Sequence, residues 1–337
     1  MTRHILAGDV GGTHVRLALV AADGDACRVV ARARSLVRDC PGLADPVARF
    51  LAAQPARPDA ACLGVAGTVE PGGRRAQGVN LPWALDAAEL EQRCGLAEVR
   101  LISDFEAVAW GVGAASPEAL LPLGGGEPRP GGPIAVLGAG TGLGQALRVG
   151  APPQVVASEG GHRGFAPANA LQDRLLAWLR AAHGRVSTER VLSGPGLAAI
   201  YRFLVEAEGA PAAGAVEAAP PEGAPAAVTA AALVEGDPTA AAAVDLFVDV
   251  YGAEAGDLAL TALATGGVYV AGGIAPRLFA AERLRRRFRA AFEAKGRLAE
   301  FVRRVPVWVV TDPDVALLGA ALAAGETHSR RRGETHP

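Results

Sequence analysis

Two glycine-rich stretches carry residue types that could hold an anion: Asp9-Val10-Gly11-Gly12-Thr13 and Gly138-Ala139-Gly140-Thr141-Gly142-Leu143-Gly144. Glycine has no Cβ, so successive backbone amides can converge on phosphate oxygens, and Thr13 or Thr141 adds a hydroxyl donor. Either stretch alone reads equally as a hairpin turn; the two together are harder to dismiss as turns only. The second stretch fails the dinucleotide fingerprint, because the third glycine position falls on Leu143 counted from Gly138 and on Gln145 counted from Gly140. A P-loop needs a lysine after its last glycine, and Lys295 is the single lysine of the chain. Any nucleotide must therefore be held by amides, hydroxyls, arginine and a metal. Asp9 ends an apolar run beside the first glycine pair, where its carboxylate could face a Mg2+ bridging ATP phosphates, or could only shape the turn. In Ala271-Gly272-Gly273-Ile274, a strand end precedes a proline-started helix. A flat ring could slide there against bare backbone, though such turns are common.

A second group of residues offers acids. Ile102-Ser103-Asp104-Phe105-Glu106 places a carboxylate between a short strand and a helical stretch containing Trp110. Asp104 there could take a hydroxyl proton as an alcohol attacks phosphorus; Ser103 or Asp104 could instead cap the helix. Ser158-Glu159-Gly160-Gly161-His162-Arg163-Gly164-Phe165 gathers an acid, two glycines and an imidazole, a set suited to several sugar hydroxyls because each carboxylate oxygen accepts from an O–H. His162 could also be structural or metal-bound, and Glu189 within Ser187-Thr188-Glu189-Arg190 could be an exposed helix residue.

The elements that must position these groups read as alternating strands and helices, an α/β layer structure. Ile5–Val10 and Val15–Val20 form a hairpin pattern, followed by strands over Ala60–Ala66 and Val99–Ile102 with a helix at Asp86–Cys94 between them. The Gly/Pro-rich stretch Gly124–Pro133 sets a domain boundary within residues 112–133. A second strand-turn-strand follows over Ile134–Leu137 and Gln145–Val149, then a helix over Leu171–Ala182. Glu206–Ala227 is an Ala/Pro/Gly/Glu tract too poor in large apolar residues to pack a core, and reads as a surface excursion. Long helices are expected over Thr239–Ala264 and Pro276–Glu293, the latter basic on its outer face, then a strand at Val305–Val310 and a helix at Asp314–Ala324. The polar tail from Gly325 is expected to fray.

The chain has 337 residues, half of them apolar, and a net charge of -2. This suits two modest domains and leaves no basic field for nucleic acid or an anionic membrane surface. Cys27, Cys40, Cys62 and Cys94 lack metal-ligand spacing and read as small buried thiols. The start of the sequence lacks a signal-peptide pattern and no run reaches the length of a membrane span, which implies reducing cytosol.

In this order the segments resemble the bacterial glucokinase family of the hexokinase, actin and chaperone ATPase superfamily, from about Ile5 to Leu322. The resemblance implies an actin-like ATPase (ribonuclease H-like) two-domain fold with an interdomain cleft. A small domain (1–113 plus 312–326) would carry the first phosphate loop and the catalytic Asp104. A large one (114–311) would carry the second loop and the sugar and adenosine motifs, with 327–337 a frayed tail. It further implies ATP and Mg2+ as cofactors, and Asp9, Gly11, Gly12, Thr13, Gly140, Thr141, Gly142, Gly272 and Gly273 on the nucleotide, with Asp9 at the metal. Ser103, Asp104, Glu159, His162 and Glu189 would surround glucose, whose 6-hydroxyl would be phosphorylated in the cytoplasm as the first step of glycolysis, by a homodimer. Asn80 and Trp83 fall in the family's sugar-side loop. The zinc motif of the related kinase and repressor family is absent. Ser103 and His14 each stand where the family usually has Asn, and Arg163-Gly164 replaces an apolar-acidic pair. These departures leave room for a weakened paralogue that senses sugar or ATP, for another hexose, or for polyphosphate as donor. An actin-like chaperone or filament fits the acid set less well.

Overall fold

Short apolar runs along the first third of the chain form five strands of one mixed sheet. They are β1 (Arg3–Val10), β2 (His14–Asp23), β3 (Ala26–Leu36), β4 (Ala60–Val65) and, after three short strands, β8 (Val99–Ser103), in the order β3-β2-β1-β4-β8. β1 runs antiparallel to β2 and parallel to β4, and β4 parallel to β8. The short strands β5 (Gly67–Val69), β6 (Arg75–Gly78) and β7 (Leu85–Asp86) make a separate antiparallel sheet. Helices α1 (Ala44–Ala52), α2 (Ala87–Cys94) and α3 (Asp104–Gly111) belong to this part, as does the last helix of the chain. Asp86 caps α2 by accepting from the Ala88 amide at 2.8 Å, and Gly95 ends it in the left-handed conformation at φ +67. The structure is a computed structural model that describes residues 3–23, 26–79 and 81–332; Asn80 lies outside them, as do residues 333–337 of the expected frayed tail.

A second unit repeats the design. β9 (Leu120–Gly124), β10 (Ile134–Ala139), β11 (Leu143–Val149), β12 (Gln154–Ser158), β13 (Gly267–Ala271) and β14 (Val307–Val310) form a sheet of order β12-β11-β10-β13-β14-β9. Again a glycine hairpin, β10–β11, is antiparallel, and its first strand takes a parallel neighbour, β13. Helices α4 (Ala170–His183), α5 (Gly194–Glu206), α6 (Gly214–Glu217), α7 (Ala224–Ala230), α8 (Pro238–Ala262), α9 (Ala275–Leu278), α10 (Glu282–Glu293) and α11 (Ala299–Arg304) surround it. α8 is apolar on nearly all sides, as befits a helix inside a core. Its Tyr251 lies among Phe247, Phe279 and Phe288 with ring centroids 5.9–6.1 Å apart. Lys295 bonds Asp257 at 2.6 Å and the Ala253 carbonyl at 2.8 Å, and only 10% of its side chain is exposed.

The two units comprise Met1–Ala119, Val155–Ala157 and Asp312–Pro337 in one, and Leu120–Gln154 and Ser158–Thr311 in the other. Each has its own apolar core, the first built on Leu6, Leu17, Leu63 and Leu101, the second on Leu137, Phe203, Phe247 and Phe288.

Several expectations need correction. The Glu206–Ala227 tract is not a bare surface excursion: Ala213 and Val216 are buried in the second core, and the Ala213 amide donates to the Tyr201 hydroxyl. Small side chains suffice because the tract lies directly on α5. Pro276–Glu293 is two helices, α9 and α10, and the basic face of α10 is not wholly outward. Arg283 and Arg287 pair with Asp245, Arg287 also with Asp249, and Arg289 lies 4.8 Å over the Phe292 ring. Strand β3 went unread because Arg28, Arg32 and Arg34 occupy its exposed face and the inward face is mostly small residues, Cys27, Ala31, Ala33 and Ser35 beside Val29. Cys27 is only partly buried, unlike Cys40, Cys62 and Cys94. The last helix, α12 (Val315–Arg332), continues through Gly325.

α12 crosses α3 on bare backbone. A Cβ on Gly319 would run into the Ala107 carbonyl, and one on Gly111 into the Val315 carbonyl, so neither position has room for a side chain. Since α3 begins at Asp104, this crossing fixes the acid's helix. Gly319→Val should lower stability by roughly 1–3 kcal/mol, read as a lower urea midpoint; an unchanged midpoint would show the crossing yields without cost.

Candidate functional site

The first glycine turn joins β1 to β2 and is closed by a 3.0 Å bond from the Gly11 amide to the His14 carbonyl. Thr13 at its tip is exposed. Asp9 and Arg16 are cross-strand partners, so their side chains share a face: Arg16 Nε donates to Asp9 Oδ2 at 2.8 Å, Nη2 bonds the same oxygen, and Nη1 donates to the Pro313 carbonyl at 2.7 Å. Both guanidinium bonds fall on one carboxylate oxygen. The His14 Nε2 lies 2.9 Å from an Arg34 guanidinium nitrogen, which can only donate, so Nε2 accepts and the neutral ring carries its proton on Nδ1. Burial, with Arg34 and Arg16 nearby, holds this imidazole below its ordinary value.

Ser103 ends β8, two strands from Asp9 at the same end of the sheet, since Asp9 pairs with Gly64 and the neighbouring Val65 with Ser103. The two readings of Ser103-Asp104 resolve into one geometry. The Ser103 hydroxyl accepts from the Glu106 amide at 3.0 Å, so Ser103 is the cap, and Asp104 becomes the first residue of α3. Asp104 is partly exposed, and its Oδ1 accepts from the Phe105 amide at 2.9 Å. Glu106 turns inward to Arg100 at 2.8 Å, and burial pushes its carboxyl up despite that partner. Gly64 is a positioning residue that was not singled out from sequence: a Cβ there would stand 3.1 Å from the Ala107 Cβ and 3.5 Å from the Asp104 Cα. A lone glycine within a fully buried strand was the available signal. Trp83 donates its indole N–H to the Cys40 carbonyl at 3.1 Å.

In the second unit, Gly140-Thr141-Gly142 links β10 to β11, and the Gly140 carbonyl accepts from the Gly194 amide at 2.8 Å. Glu189 reaches this turn from a short helical segment, its Oε2 accepting from the Leu143 amide at 2.9 Å. A Cβ on Gly142 would stand 2.5 Å from Glu189 Oε2, so a side chain there would displace the Glu189 carboxylate. His162 lies 3.8 Å from both Glu159 and Glu189, so the acid-imidazole-acid set is brought together beside the second glycine turn. Behind it, buried Gln145 donates to buried Glu254 at 2.6 Å. Glu254 also pairs with Arg163, whose Nε donates to the Gly160 carbonyl at 3.2 Å. Gln145 and Glu254 were missed, since a polar residue among strand or helix neighbours shows its burial only in three dimensions.

Gly272 and Gly273 follow β13 as expected. Gly272 has φ +85 and lies so close to the Ala139 carbonyl, 2.6 Å from where a Cβ would stand, that only glycine fits. Cβ atoms on Gly273 or Gly140 would meet open space, which leaves their backbone accessible to a ligand. No group of three or more potential metal ligands gathers among the described residues, so a metal beside Asp9 could draw on few protein ligands.

The family model named Glucokinase matches residues 6–327. A glucokinase of Nostoc punctiforme is 39% identical over 340 residues, covering 95% of this chain and 98% of that protein. The solved glucokinase of an Antarctic psychrotroph superposes with a TM-score of 0.83 at 32% identity, covering 96% of this chain and 99% of the other. A ROK family glucokinase of Streptomyces griseus, solved with glucose and AMPPNP, gives 0.68 at 21% identity over 96% and 99%. The fold is that of the actin-like ATPases, and the doubled hairpin-plus-parallel-strand design is its visible form. With the family model spanning both units, and a relative 39% identical along 95% of this chain, the chain belongs to the glucokinase family.

Proposed function

We propose that this protein transfers the γ-phosphoryl group of ATP to the 6-hydroxyl of glucose. The observation that carries the reading is the bond of Glu189 to the second glycine turn, with His162 3.8 Å from both Glu189 and Glu159: groups able to bind hydroxyls and a bare-backbone turn are neighbours in one unit. The nearby glucokinases, and the neighbour solved with glucose and AMPPNP, support sugar and nucleotide as the pair of substrates. In this reading the first unit would be the small domain and the second the large one.

In this reading Glu159 and Glu189 accept from sugar hydroxyls and His162 donates or accepts according to its tautomer. Asp104 takes the proton of the 6-hydroxyl as that oxygen forms its bond to phosphorus and the bond to the ADP oxygen breaks. Ser103, committed to capping α3, offers the sugar a hydroxyl rather than an amide. Gly11, Gly12, Thr13, Gly140, Thr141 and Gly142 supply amide and hydroxyl donors to phosphate oxygens, and Gly272-Gly273 a flat backbone for the base. The residues fit Mg2+, which commonly binds through one or two carboxylates plus phosphate oxygens and water: Asp9 would hold it, and it would neutralise phosphate charge. The same reading places the enzyme in the cytoplasm at the entry of glycolysis, as a homodimer.

A coupled assay across hexoses and donors tests this directly: glucose 6-phosphate formed from glucose and ATP is expected, whereas ATP hydrolysis without phosphorylated sugar would overturn it. Asp104→Asn should cut kcat about 10²–10⁴-fold while glucose and nucleotide still bind by calorimetry; near-normal turnover would remove Asp104 from the proton transfer. His14 gives a pH signature. Its value is depressed from 6.5, so the folded chain binds fewer protons there than the unfolded chain, and stability falls as pH drops through that value. Between pH 7.5 and 5.5 the melting temperature of His14→Asn should fall less than that of the parent; equal slopes would contradict the burial of a neutral ring.

A further inference from the structure

Tyr251 places the only polar atom of its side chain between two functional turns. The residue is fully buried on α8, and its hydroxyl accepts from the Ala139 amide at 3.0 Å and donates to the Ala271 carbonyl at 3.4 Å. Ala139 is the last residue of β10, directly before Gly140-Thr141-Gly142; Ala271 is the last of β13, directly before Gly272-Gly273. The β10–β13 pairing ends at Gly138 with Ala271, so beyond that point the two strands no longer hold one another by backbone bonds. The phenol bridges the place where they part.

We propose that Tyr251 is a positioning residue for the nucleotide, fixing the spacing of the phosphate turn against the adenine-side turn through its hydroxyl. This rests on the reading of both turns as the nucleotide site. The alternative, a tyrosine serving only the core, is met by its ring, which packs on Phe247, Phe279 and Phe288 and needs no hydroxyl for it. Burial pushes the phenol far above its ordinary value, so it keeps its proton and can donate to Ala271 throughout the working pH range. Without the oxygen, an N–H and a C=O are stranded in a dry core, and the chain relieves this most cheaply by letting the two glycine turns shift. Glu254, three residues further along α8, serves the sugar-side turn through Gln145 and Arg163, which gives the helix a separate role there.

Tyr251→Phe keeps the ring and removes only the hydroxyl. The KM for ATP and the calorimetric Kd for AMPPNP should rise about tenfold, with the KM for glucose within about twofold of the parent. Hydrogen exchange should quicken at residues 139–142 and 271–274 and stay unchanged elsewhere. Unchanged nucleotide constants, an equal rise for both substrates, or exchange quickened across the whole second unit with a collapse in melting temperature would each overturn the proposal. Gly273→Val, at a position where a Cβ meets open space, separates this from a failure of the underlying reading. If that variant keeps full nucleotide affinity, the nucleotide site itself is misplaced; if it loses affinity while Tyr251→Phe does not, only the positioning role of Tyr251 falls.

Discussion

The structure depends on backbone approaching backbone with no side chain between them. At Gly64 the strand meets the start of α3, at Gly272 it meets Ala139, and at Gly111 and Gly319 two helices cross on their main chains. A methyl group at any of these points would force elements apart or demand a shift of neighbours. Glycine is entropically costly to order, so these contacts persist because the packing around them is tight enough to offset that cost. The candidate chemistry follows from the same property, because amides that other backbone can approach closely are also amides that phosphate oxygens can reach.

The two units apply one plan to different ends. Each begins with a hairpin whose turn is glycine-rich and sets its first strand parallel to a later one. In the first, the later strands end in the capped acid at Ser103-Asp104; in the second, they end in Gly272-Gly273. Polar groups behind the turns are satisfied rather than left to water. Asp9 is tied by Arg16, Glu189 by the Leu143 amide, and Glu254 by Gln145 and Arg163. A buried carboxylate with one partner is a poor source of stability, but one with two fixed donors holds a defined geometry.

Much of this was legible in the residues. Local signals carried the hairpins, the capped helix at Asp104 and the strand before Gly272, because short apolar runs, a Ser before an acid and a Gly-Gly break act over a few positions. Glu159 and His162 are close enough in sequence to be read together, but their meeting with Glu189 was suggested only by resemblance, since thirty residues separate Glu159 from Glu189 and spacing carries no information at that range. The same limit hid Gln145, Glu254 and Tyr251, whose roles exist only once α8 lies behind the sheet. The Glu206–Ala227 tract misled because composition was read as a lack of core, whereas two small apolar side chains docked on α5 are enough. The helix at Pro276–Glu293 misled because its arginines pattern as a solvent face, yet Asp245 and Asp249 wait for them on α8.

The burial of Lys295 against α8 has a practical side. It is the one lysine of the sequence, and its ammonium is held by Asp257 and the Ala253 carbonyl with almost no surface of its own. Reagents that acylate amines, and enzymes that attach acetyl or ubiquitin to lysine, therefore find no freely presented side-chain target, and the positive charge of the surface is carried by guanidinium groups that such chemistry leaves untouched.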